Sequence, residues 1–492
     1  MMDAHTVMNP ESSLSLADKN QGSNHTHFMG IEGAGMFALA ELFRQRGEIV
    51  TGCDVAPGEN SEQLRSAGVE ISGKHDTSHL SDATSVVVSS AVPWGTKEIQ
   101  EALTRGIPVI KRAEALGQCV NHGQVLAVSG THGKTTTTSL VGTILENAKL
   151  DPTIINGGII NAYSKNNRMG LGKWIVVEAD ESDGSFLRLP HKINIITNID
   201  IEHLDYYKTK SSLVNSFQKF ITNLPFDGCS IICIDNNNLK KLSKKIKTRK
   251  IISYAYKDQE ANVKILDIKY NDMKSKFSIH IKKNTIPHYS GIYKFCINLL
   301  GMHNVLNATS AIIAAMLLRI SIKNIQKSLE TFKGVERRFT FLGKIKKSFI
   351  YDDYAHHPTE IKASYEIAKH IAEKKIIVLF QPHRFSRTRD LYSDFIKVLN
   401  KIDILYVLDI YAAGENSIKK INSKNIVKDL RKKKQQVFYI SKNEDINKIL
   451  SSFYDDNNLI VFMGAGSITH KAHKLIKENN VRKNSRNFKK IK

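Results

Sequence analysis

The residues whose chemistry is clearest lie in the stretch QVLAVSGTHGKTTTT, Gln124 to Thr138. Its apolar start predicts a short strand, and a helix is expected to begin near Lys134. Backbone N–H groups and a helix N-terminus converge on an anion at such a turn. The glycines leave space for a phosphate, the lysine can bridge the outer phosphates, and the next hydroxyl suits Mg²⁺. The stretch therefore predicts a site for ATP, formed by Gly130, Thr131, His132, Gly133, Lys134, Thr135 and Thr136.

This loop departs from the general phosphate-loop pattern at one position. The form G-x-x-x-x-G-K-[ST] places its first glycine at 128, where this chain has Val128. The alternative interpretation is a polar turn between a strand and a helix. Because the strand, the glycines, the lysine and the threonine occur in the expected order, a variant phosphate loop is favoured.

Two later apolar stretches each end in acidic residues. KWIVVEADESD and HKINIITNIDIEHLD place Glu178, Asp180, Glu181, Asp183, Asp200, Glu202, His203 and Asp205 after predicted strands. The carboxyl ends of parallel strands meet at the ligand-binding edge of a sheet, where the phosphate loop also lies. Oxygen ligands together with Thr135 suit Mg²⁺. A structural, hydrogen-bonded role is the alternative for His203.

The N-terminal part of the chain shows a weaker nucleotide signal. A strand, a turn containing Gly30, Gly33 and Gly35, a helix and a second strand ending at Asp54 follow one another. This succession is typical of dinucleotide-binding domains, in which the carboxylate receives ribose hydroxyls. Tight packing at a strand–helix corner would also explain the glycines.

The C-terminal part, after Arg337-Arg338-Phe339, repeats strands and helices and predicts another doubly wound α/β domain. Its strands are followed by polar residues that include Tyr354, His356, Arg384 and Arg387. The guanidinium groups are suited to paired contacts with a carboxylate. An ion pair with a neighbouring acid such as Asp390 is the alternative. A nucleotide loop, an acidic cluster and an arginine-bearing domain imply ATP-driven joining of anionic substrates.

The composition bounds the class of protein. The 492 residues are 41% hydrophobic and 24% charged, which is typical of soluble proteins with real cores. The net charge of +23 is spread through a Lys-, Ile- and Asn-rich second half without a nucleic-acid motif, so we expect attraction of anionic substrates and not nucleic-acid binding. No membrane segment or secretory signal is evident, and five cysteines without a framework predict free thiols and a cytoplasmic location.

Seven motifs of this sequence resemble those of the Mur ligase family. They are GAGM, GTHGKTTTT, EADESDGSFL, EHLDYY, GMHNVLN, DDYAHHPTE and FQPHRFSRTRDLY, and they run in order from His27 to about Thr469. The resemblance implies an α/β protein of three domains. These are a Rossmann-like UDP-binding domain at 27–123, a P-loop ATPase at 124–336, and a Rossmann-like domain with a basic tail at 337–492, preceded by a disordered tail at 1–26.

The resemblance also implies an activity, the ATP-dependent joining of L-alanine to UDP-N-acetylmuramate through an acyl phosphate in peptidoglycan precursor synthesis. Lys134, Glu178, His203 and Arg384 would be catalytic, with Mg²⁺ held by Thr135, Glu178 and His203. His303, Asn304 and Asn307 would flank the adenine. Tyr354, His356, Arg384 and Arg387 would present the amino acid and the muramoyl carboxylate, while Gly30, Gly33, Gly35 and Asp54 would face the UDP moiety. We expect neither nucleic acid nor a membrane as a partner, and a homodimer is one possible assembly.

One departure from the family pattern bears on the UDP site. Glu32 stands where the family usually has a second glycine. A carboxylate about 4 Å from a diphosphate would cost up to ~4 kcal/mol at an intermediate dielectric. We therefore predict either that this side chain turns aside or that the sugar-nucleotide site is weakened.

The rival functions are a murein tripeptide ligase, a folylpolyglutamate synthase-like ligase, a nucleic-acid-dependent ATPase and a non-catalytic binding protein.

Overall fold

The computed structural model describes residues 24–89, 91–120, 123–160, 165–271, 273–433 and 436–488. The chain forms two compact units, residues 1–116 and residues 117–492. Residues 1–23, most of the predicted disordered tail, lie outside the described residues. No described helix is both long and apolar enough to cross a bilayer.

A parallel sheet forms the centre of the first unit. Its strands are β1 (His25–Met29), β2 (Ile49–Cys53), β3 (Glu70–Ser72), β4 (Ser85–Val88) and β5 (Val109–Lys111). Their order is β3-β2-β1-β4-β5, so the strand order reverses between β1 and β4, the position where open α/β sheets bind ligands. The predicted tail is wrong for residues 25 and 26, because both pair with β2 as part of β1.

The helices of this unit follow the strands in alternation, as a doubly wound fold requires. They are α1 (Ala34–Gln45), α2 (Glu59–Ser66), α3 (Lys97–Thr104) and α4 (Arg112–Val120), with a short 3₁₀ helix at Thr77–Leu80. α3 places Ile99 and Ala102 on one buried face. Their three-residue spacing is the helical period that turns an apolar stripe toward a sheet.

The second unit contains two sheets, of which the first carries the phosphate loop. Its strands are β6 (Gln124–Ser129), β7 (Thr153–Ile160), β8 (Lys165–Arg168), β9 (Trp174–Glu178), β10 (Ile193–Ile196), β11 (Cys229–Cys233), β12 (Lys250–Ala255), β13 (Val263–Asn271), β14 (Lys274–Ile286) and β15 (Tyr289–Ile297). The order is β15-β14-β13-β12-β11-β10-β6-β9-β7-β8. β6 lies between β10 and β9, so both acidic segments follow direct neighbours of the phosphate-loop strand.

The alternating Lys- and Ile-rich sequence after about residue 236 predicts an antiparallel sheet face. β13, β14 and β15 pair in that way, whereas β12 pairs parallel with both β11 and β13. The helices of this part are α5 (Lys134–Asn147), α6 (Leu204–Tyr207), α7 (Lys210–Thr222), α8 (Asn237–Lys245), α9 (Met302–Leu317) and α10 (Ile322–Thr331). The sequence GMHNVLNATSAIIAAMLL, residues 301–318, predicts an amphipathic to buried helix, and α9 confirms it because it is buried along most of its length.

The third sheet follows the predicted doubly wound pattern. Its strands are β16 (Thr340–Ile345), β17 (Ser348–Asp353), β18 (Ile376–Phe380), β19 (Ile404–Leu408), β20 (Val437–Ile440) and β21 (Leu459–Met463), in the order β16-β17-β21-β18-β19-β20. The helices are α11 (Pro358–Ile371), α12 (Phe385–Asp390), α13 (Tyr392–Leu399), α14 (Ser423–Arg431), α15 (Ile446–Leu450) and α16 (Ile468–Phe488). Apolar clusters cover both faces of this sheet. The predicted basic tail is the Lys- and Arg-rich segment 471–492, and its described part, up to residue 488, belongs to helix α16.

Candidate active site

The phosphate-loop stretch forms a strand, a turn and a helix with the predicted bounds. β6 ends immediately before Gly130, and α5 begins at Lys134. Gly130 has φ +126° and Gly133 has φ +83°, a region that favours glycine. A Cβ on Gly133 would lie 2.6 Å from Asn307 Oδ1. Backbone conformation and the lack of space therefore both require glycine here, as a tight anion-binding turn does.

Lys134 lies at the mouth of this turn. Its Nζ donates to the Gly130 carbonyl oxygen at 2.8 Å and to Glu181 Oε1 at 2.9 Å. Burial alone lowers the pKa of Lys134, but neighbouring carboxylates, Glu181 first among them, hold that pKa above its ordinary value. Burial raises the pKa of Glu181 to about 7, although Lys134 opposes the shift. The loop therefore carries a firmly protonated ammonium group.

Two of the three predicted metal ligands are in contact. Thr135 Oγ1 donates to Glu178 Oε1 at 3.2 Å, and Glu178 Oε2 accepts from the Gly157 N–H at 2.8 Å. The third, His203, lies with its Nε2 3.7 Å from Glu181 Oε1. Burial lowers the pKa of His203, which favours its neutral ring.

These residues fit a divalent cation. Hydroxyl and carboxylate oxygens are the ligands that Mg²⁺ prefers. Glu181 Oε2 is fully buried, and no described residue forms a hydrogen bond with it. An acceptor left in this condition, in a carboxylate that contacts Lys134 and lies near His203, is the kind of group that a cation or its water would satisfy.

His132 joins the phosphate loop to the third sheet. Its Nδ1 lies 3.2 Å from Glu360 Oε1, and its Nε2 lies 3.2 Å from Asp200 Oδ2. Burial alone lowers the pKa of His132, but these two carboxylates outweigh it and raise the pKa to about 10. The ring is therefore a buried imidazolium that bridges both carboxylates.

A cavity of about 310 Å³ opens beside the loop. Its polar lining includes the three residues predicted to flank the adenine, His303, Asn304 and Asn307, and it also contains His132, Gly133 and Thr136. Tyr254, Leu299 and Phe339 are among the apolar and aromatic side chains of its wall. Burial lowers the pKa of His303 to about 4, so the ring is neutral near pH 7. A flat, largely apolar heterocycle suits such a cavity.

The two predicted carboxylate-binding arginines line one small cavity but have different partners. Arg387 donates to Glu202 Oε1 from Nε at 2.9 Å and from a terminal nitrogen at 2.5 Å. Arg384 Nε lies 3.1 Å from Glu415 Oε1. Both arginines thus form ion pairs, although not with Asp390, the acid that the sequence suggested. Asp390 instead accepts from Arg389 at 2.7 Å.

Tyr354 and His356 lie beside another arginine pair. The Tyr354 ring is 4.7 Å from the Arg337 guanidinium carbon and 5.3 Å from that of Arg338. His356 Nδ1 lies 2.9 Å from the Tyr354 carbonyl oxygen, and burial lowers the pKa of this histidine. The C-terminal candidate residues therefore lie among cations suited to an anionic substrate.

The predicted UDP-facing residues belong to the first unit. Gly30 has φ +78°, and a Cβ there would lie 2.8 Å from the Ser89 Cβ. Gly33 lies just before α1, and Gly35 lies in its first turn. Asp54 accepts from backbone N–H groups on both sides, from Glu32 at 3.0 Å and from Ala56 at 2.9 Å. This carboxylate therefore organises the turn after β2, and its contact with UDP stays a prediction.

The Glu32 side chain is turned toward the beginning of α2. Its carboxylate accepts from the Gly58 N–H at 2.8 Å, the Ser61 N–H at 2.9 Å and the Ser61 hydroxyl at 2.6 Å. The carboxylate is thus bound at a helix N-terminus, where backbone N–H groups favour negative charge. This orientation agrees with the first of the two predicted alternatives, and the effect of Glu32 on the UDP site stays a prediction.

Sequence reasoning did not single out several residues that make the main contacts. Glu181 binds Lys134, Glu202 binds Arg387, and Glu360 binds His132. Glu181 and Glu202 belong to acidic segments noted in the sequence, but nothing there distinguishes them from adjacent acids. Glu360, in the first turn of α11, is the last residue of the motif DDYAHHPTE, but nothing in that motif assigned it a contact with the phosphate loop.

Comparison with known proteins bears out the family suggested by the motifs. The chain matches three Mur ligase profiles in order: "Mur ligase family, catalytic domain" at residues 25–124, "Mur ligase middle domain" at 128–315 and "Mur ligase, glutamate ligase domain" at 337–466. A UDP-N-acetylmuramate–L-alanine ligase of Rickettsia bellii is 41% identical over 470 residues, which are 94% of this chain and 98% of that protein. The protein of the same name from Rickettsia felis is 42% identical over 467 residues, with the same coverage.

Solved structures extend this likeness to the fold. The crystal structure of a UDP-N-acetylmuramate-alanine ligase from Thermotoga maritima matches with a TM-score of 0.79 and 26% identity over 93% of this chain and 99% of that one. A murein peptide ligase from Psychrobacter arcticus shares the fold with a TM-score of 0.66 and 22% identity, over 93% and 99% of the two chains. The order of motifs, the three sheets and the near full-length relatives agree: this chain belongs to the Mur ligase family.

Proposed function

We propose that this chain is a cytoplasmic, ATP-dependent ligase that joins L-alanine to the carboxylate of UDP-N-acetylmuramate in peptidoglycan precursor synthesis. The observation that carries the proposal is the near full-length likeness to relatives named for this reaction. The site geometry supports it, because the phosphate loop, the acidic strand ends and the arginine-bearing helix α12 lie in one unit.

The chemistry must overcome the poor reactivity of a carboxylate. A carboxylate oxygen of UDP-N-acetylmuramate takes the γ-phosphoryl group of ATP, which gives ADP and an acyl phosphate. The L-alanine nitrogen then attacks the acyl carbon, phosphate leaves with the C–O electron pair, and the amine loses a proton as the amide forms. Such catalysis depends mainly on alignment and on neutralising charge, and less on covalent participation of the protein.

Lys134 and the loop backbone would supply the first part of that charge. Lys134 Nζ already lies against the Gly130 carbonyl oxygen, at the position from which it can reach the outer phosphates. The pocket lined by His303, Asn304 and Asn307 would take the adenine, and Gly133 and Thr136, which line the same pocket, would lie near the phosphates. A charge that follows the transferring phosphoryl group stabilises the transition state more than the ground state.

We further propose Mg²⁺ as the cofactor, held by Thr135, Glu178 and His203. His203 would approach the ion from the side on which its ring lies near Glu181. Bound Mg²⁺ would neutralise the phosphate oxygens during transfer. Two observations support this assignment: Thr135 contacts Glu178, and Glu181 Oε2 forms no hydrogen bond with any residue in the described part of the chain.

Arg384 and Arg387 would bind the carboxylates of the amino acid and the sugar. Arg387 is the better placed for the reacting end, because its partner Glu202 adjoins His203 in the sequence and faces the same small cavity. A substrate carboxylate could displace Glu202 from Arg387 or bind Arg387 beside Glu202, since Arg carries several N–H donors in a fixed plane.

The proposal is tested by substrate omission with the full chain. ADP and phosphate release should require Mg²⁺, UDP-N-acetylmuramate and L-alanine together, and glycine, L-serine and the murein tripeptide should support it poorly. Lys134→Ala is the inactive control, and Lys173→Ala, an exposed lysine, is the matched active control. Release that responds to nucleic acid, or to the tripeptide in place of L-alanine, would refute the proposal.

A further inference from the structure

A group of four metal-ligating side chains lies in the first unit, among residues that the proposed reaction does not use. It consists of His27 on β1, Cys53 at the end of β2, His79 in the 3₁₀ helix Thr77–Leu80, and Glu98 in the first turn of α3. Each residue offers one nitrogen, sulfur or oxygen atom, and these atoms all lie within 4.8 Å of one another. We call this group the HCHE cluster.

The spacing of the ligand atoms suits a small tetrahedral ion. His27 Nε2 lies 3.4 Å from Cys53 Sγ and 3.2 Å from Glu98 Oε1. His79 Nδ1 lies 2.9 Å from Glu98 Oε1, and Cys53 Sγ lies 3.4 Å from Glu98 Oε2. Four ligands bound tetrahedrally to Zn²⁺ would be separated by about 3.3–3.8 Å, so small adjustments would close the cluster around one ion.

Burial and charge also favour a divalent cation. The relative exposure of His27, Cys53 and Glu98 is 1% or less. A thiolate and a carboxylate together neutralise a divalent cation, so its binding would leave the buried site without net charge.

The surroundings orient the ligands in the way expected around a metal. The second ring nitrogen of His27, Nδ1, lies 2.8 Å from the Thr51 hydroxyl, so Nε2 is the nitrogen directed to the cluster. Metal-bound histidines are usually held by such an outer hydrogen bond. The His79 side chain keeps 18% exposure and gives solvent access to the cluster. His75, whose Nδ1 is 3.0 Å from Cys53 Sγ, borders the cluster on the same side.

We propose that His27 Nε2, Cys53 Sγ, His79 Nδ1 and one Glu98 carboxylate oxygen bind a single Zn²⁺ ion in a closed structural site. Nitrogen and sulfur ligands in a tetrahedral arrangement select zinc over magnesium or calcium. Binding releases the thiol proton of Cys53 to solvent. The ion links two strands, the 3₁₀ helix and α3, and it stabilises the first unit without taking part in the ligase reaction.

The first test uses the full chain, purified without a polyhistidine tag and dialysed against a chelator. Addition of Co²⁺ should produce a thiolate charge-transfer band and the intense visible bands of a tetrahedral site, and one equivalent of Zn²⁺ should abolish them. Zn²⁺ alone should stabilise the first unit, and this stabilisation should be measured as slower hydrogen exchange at the amides of β1 and β2. A Co²⁺ spectrum without the charge-transfer band would overturn the proposal.

Variants separate this site from adventitious binding. Cys53→Ser should lose the charge-transfer band, whereas Cys229→Ser, a matched buried thiol on β11, should keep it. His79→Asn alters the most exposed ligand and should fold, yet it should bind Zn²⁺ at least tenfold more weakly. Equal Zn²⁺ affinity in wild type and His79→Asn, or an unchanged spectrum in Cys53→Ser, would contradict the assignment.

Discussion

The charged side chains of the site are buried in pairs. Lys134 is bound to Glu181, Arg387 to Glu202, and His132 to Glu360. Removing one member of a buried pair leaves the other charge without compensation, which costs several kcal/mol. Each residue therefore has a structural role that experiments must separate from its chemical role.

Lys134→Ala should abolish ligation while the protein stays folded. The variant loses the cation that follows the phosphoryl group, and no other lysine of the described loop replaces it. Turnover should fall by orders of magnitude, and Lys134→Ala combined with Glu181→Gln should regain stability but not activity. Circular dichroism and phosphate release measure the two effects. Substantial turnover in either variant would remove the loop lysine from the mechanism.

Arg384→Lys and Arg387→Lys should affect the carboxylate substrates and not ATP. A lysine keeps the charge but loses the planar set of donors seen between Arg387 and Glu202. The loss of one charge-assisted hydrogen bond costs about 1.5–3 kcal/mol, or about ten- to a hundredfold in kcat/KM for L-alanine or UDP-N-acetylmuramate.

Separate KM values for the three substrates check this prediction. The KM for ATP should be nearly unchanged. If either substitution chiefly weakens ATP, or only lowers the melting temperature, the arginines are structural.

His132 should make the stability of the second unit depend on pH. Its pKa is raised from the ordinary 6.5 to about 10 by Asp200 and Glu360. Because this pKa is raised in the folded protein, protonated His132 contributes fully to the free energy of unfolding below about pH 6.5. That contribution is lost as the pH rises toward about 10. Melting temperatures over this range should fall more steeply for wild type than for His132→Asn. The exposed variant His288→Asn should follow wild type, and parallel curves for all three proteins would disprove the assignment.

At the level of secondary structure, Glu32 shows how one side chain joins two elements. It belongs to the turn between β1 and α1, and its carboxylate binds backbone N–H groups at the beginning of α2. This contact replaces a capping residue, because the position before α2 is Gly58, which has no side chain to accept a hydrogen bond.

Glu32→Ala should therefore loosen the start of α2. We expect a loss of about 1 kcal/mol in local stability, the usual value of a helix cap. Hydrogen exchange at the amides of Gly58 and Ser61 should become about fivefold faster, and exposed Glu70→Gln should have no effect. A raised KM for UDP-N-acetylmuramate without faster exchange would mean instead that this carboxylate contacts the substrate.

At the level of the whole molecule, the formal net charge of +23 should act on substrate encounter. Both nucleotide substrates are anions, and a positive field increases their rate of approach. Salt shortens the range of that field to about 10 Å at 0.1 M. We expect kcat/KM for UDP-N-acetylmuramate to fall severalfold as salt rises, with little change in kcat. Equal losses in both constants would point to an effect of salt on the folded site.

Local features of this chain could be predicted because short-range rules govern them. The strand before Gly130, the helix from Lys134 and the buried helix α9 follow from apolar periodicity and glycine positions. The carboxyl-end rule for parallel sheets correctly placed the acidic segments beside the phosphate loop, since β6 pairs with both β9 and β10.

The partners of individual side chains were decided only by the tertiary structure. Glu181 rather than its neighbours binds Lys134, and Glu202 binds Arg387. Asp390, the acid that the sequence offered as an alternative partner of the two arginines, binds Arg389 instead. The HCHE cluster was likewise not evident in the sequence, since its four residues come from separate elements without a metal-binding spacing. Sequence periodicity tells which face of an element is buried. It does not tell which side chains of distant segments meet, because that depends on strand order, on helix packing and on the rotamers that a closely packed interior allows.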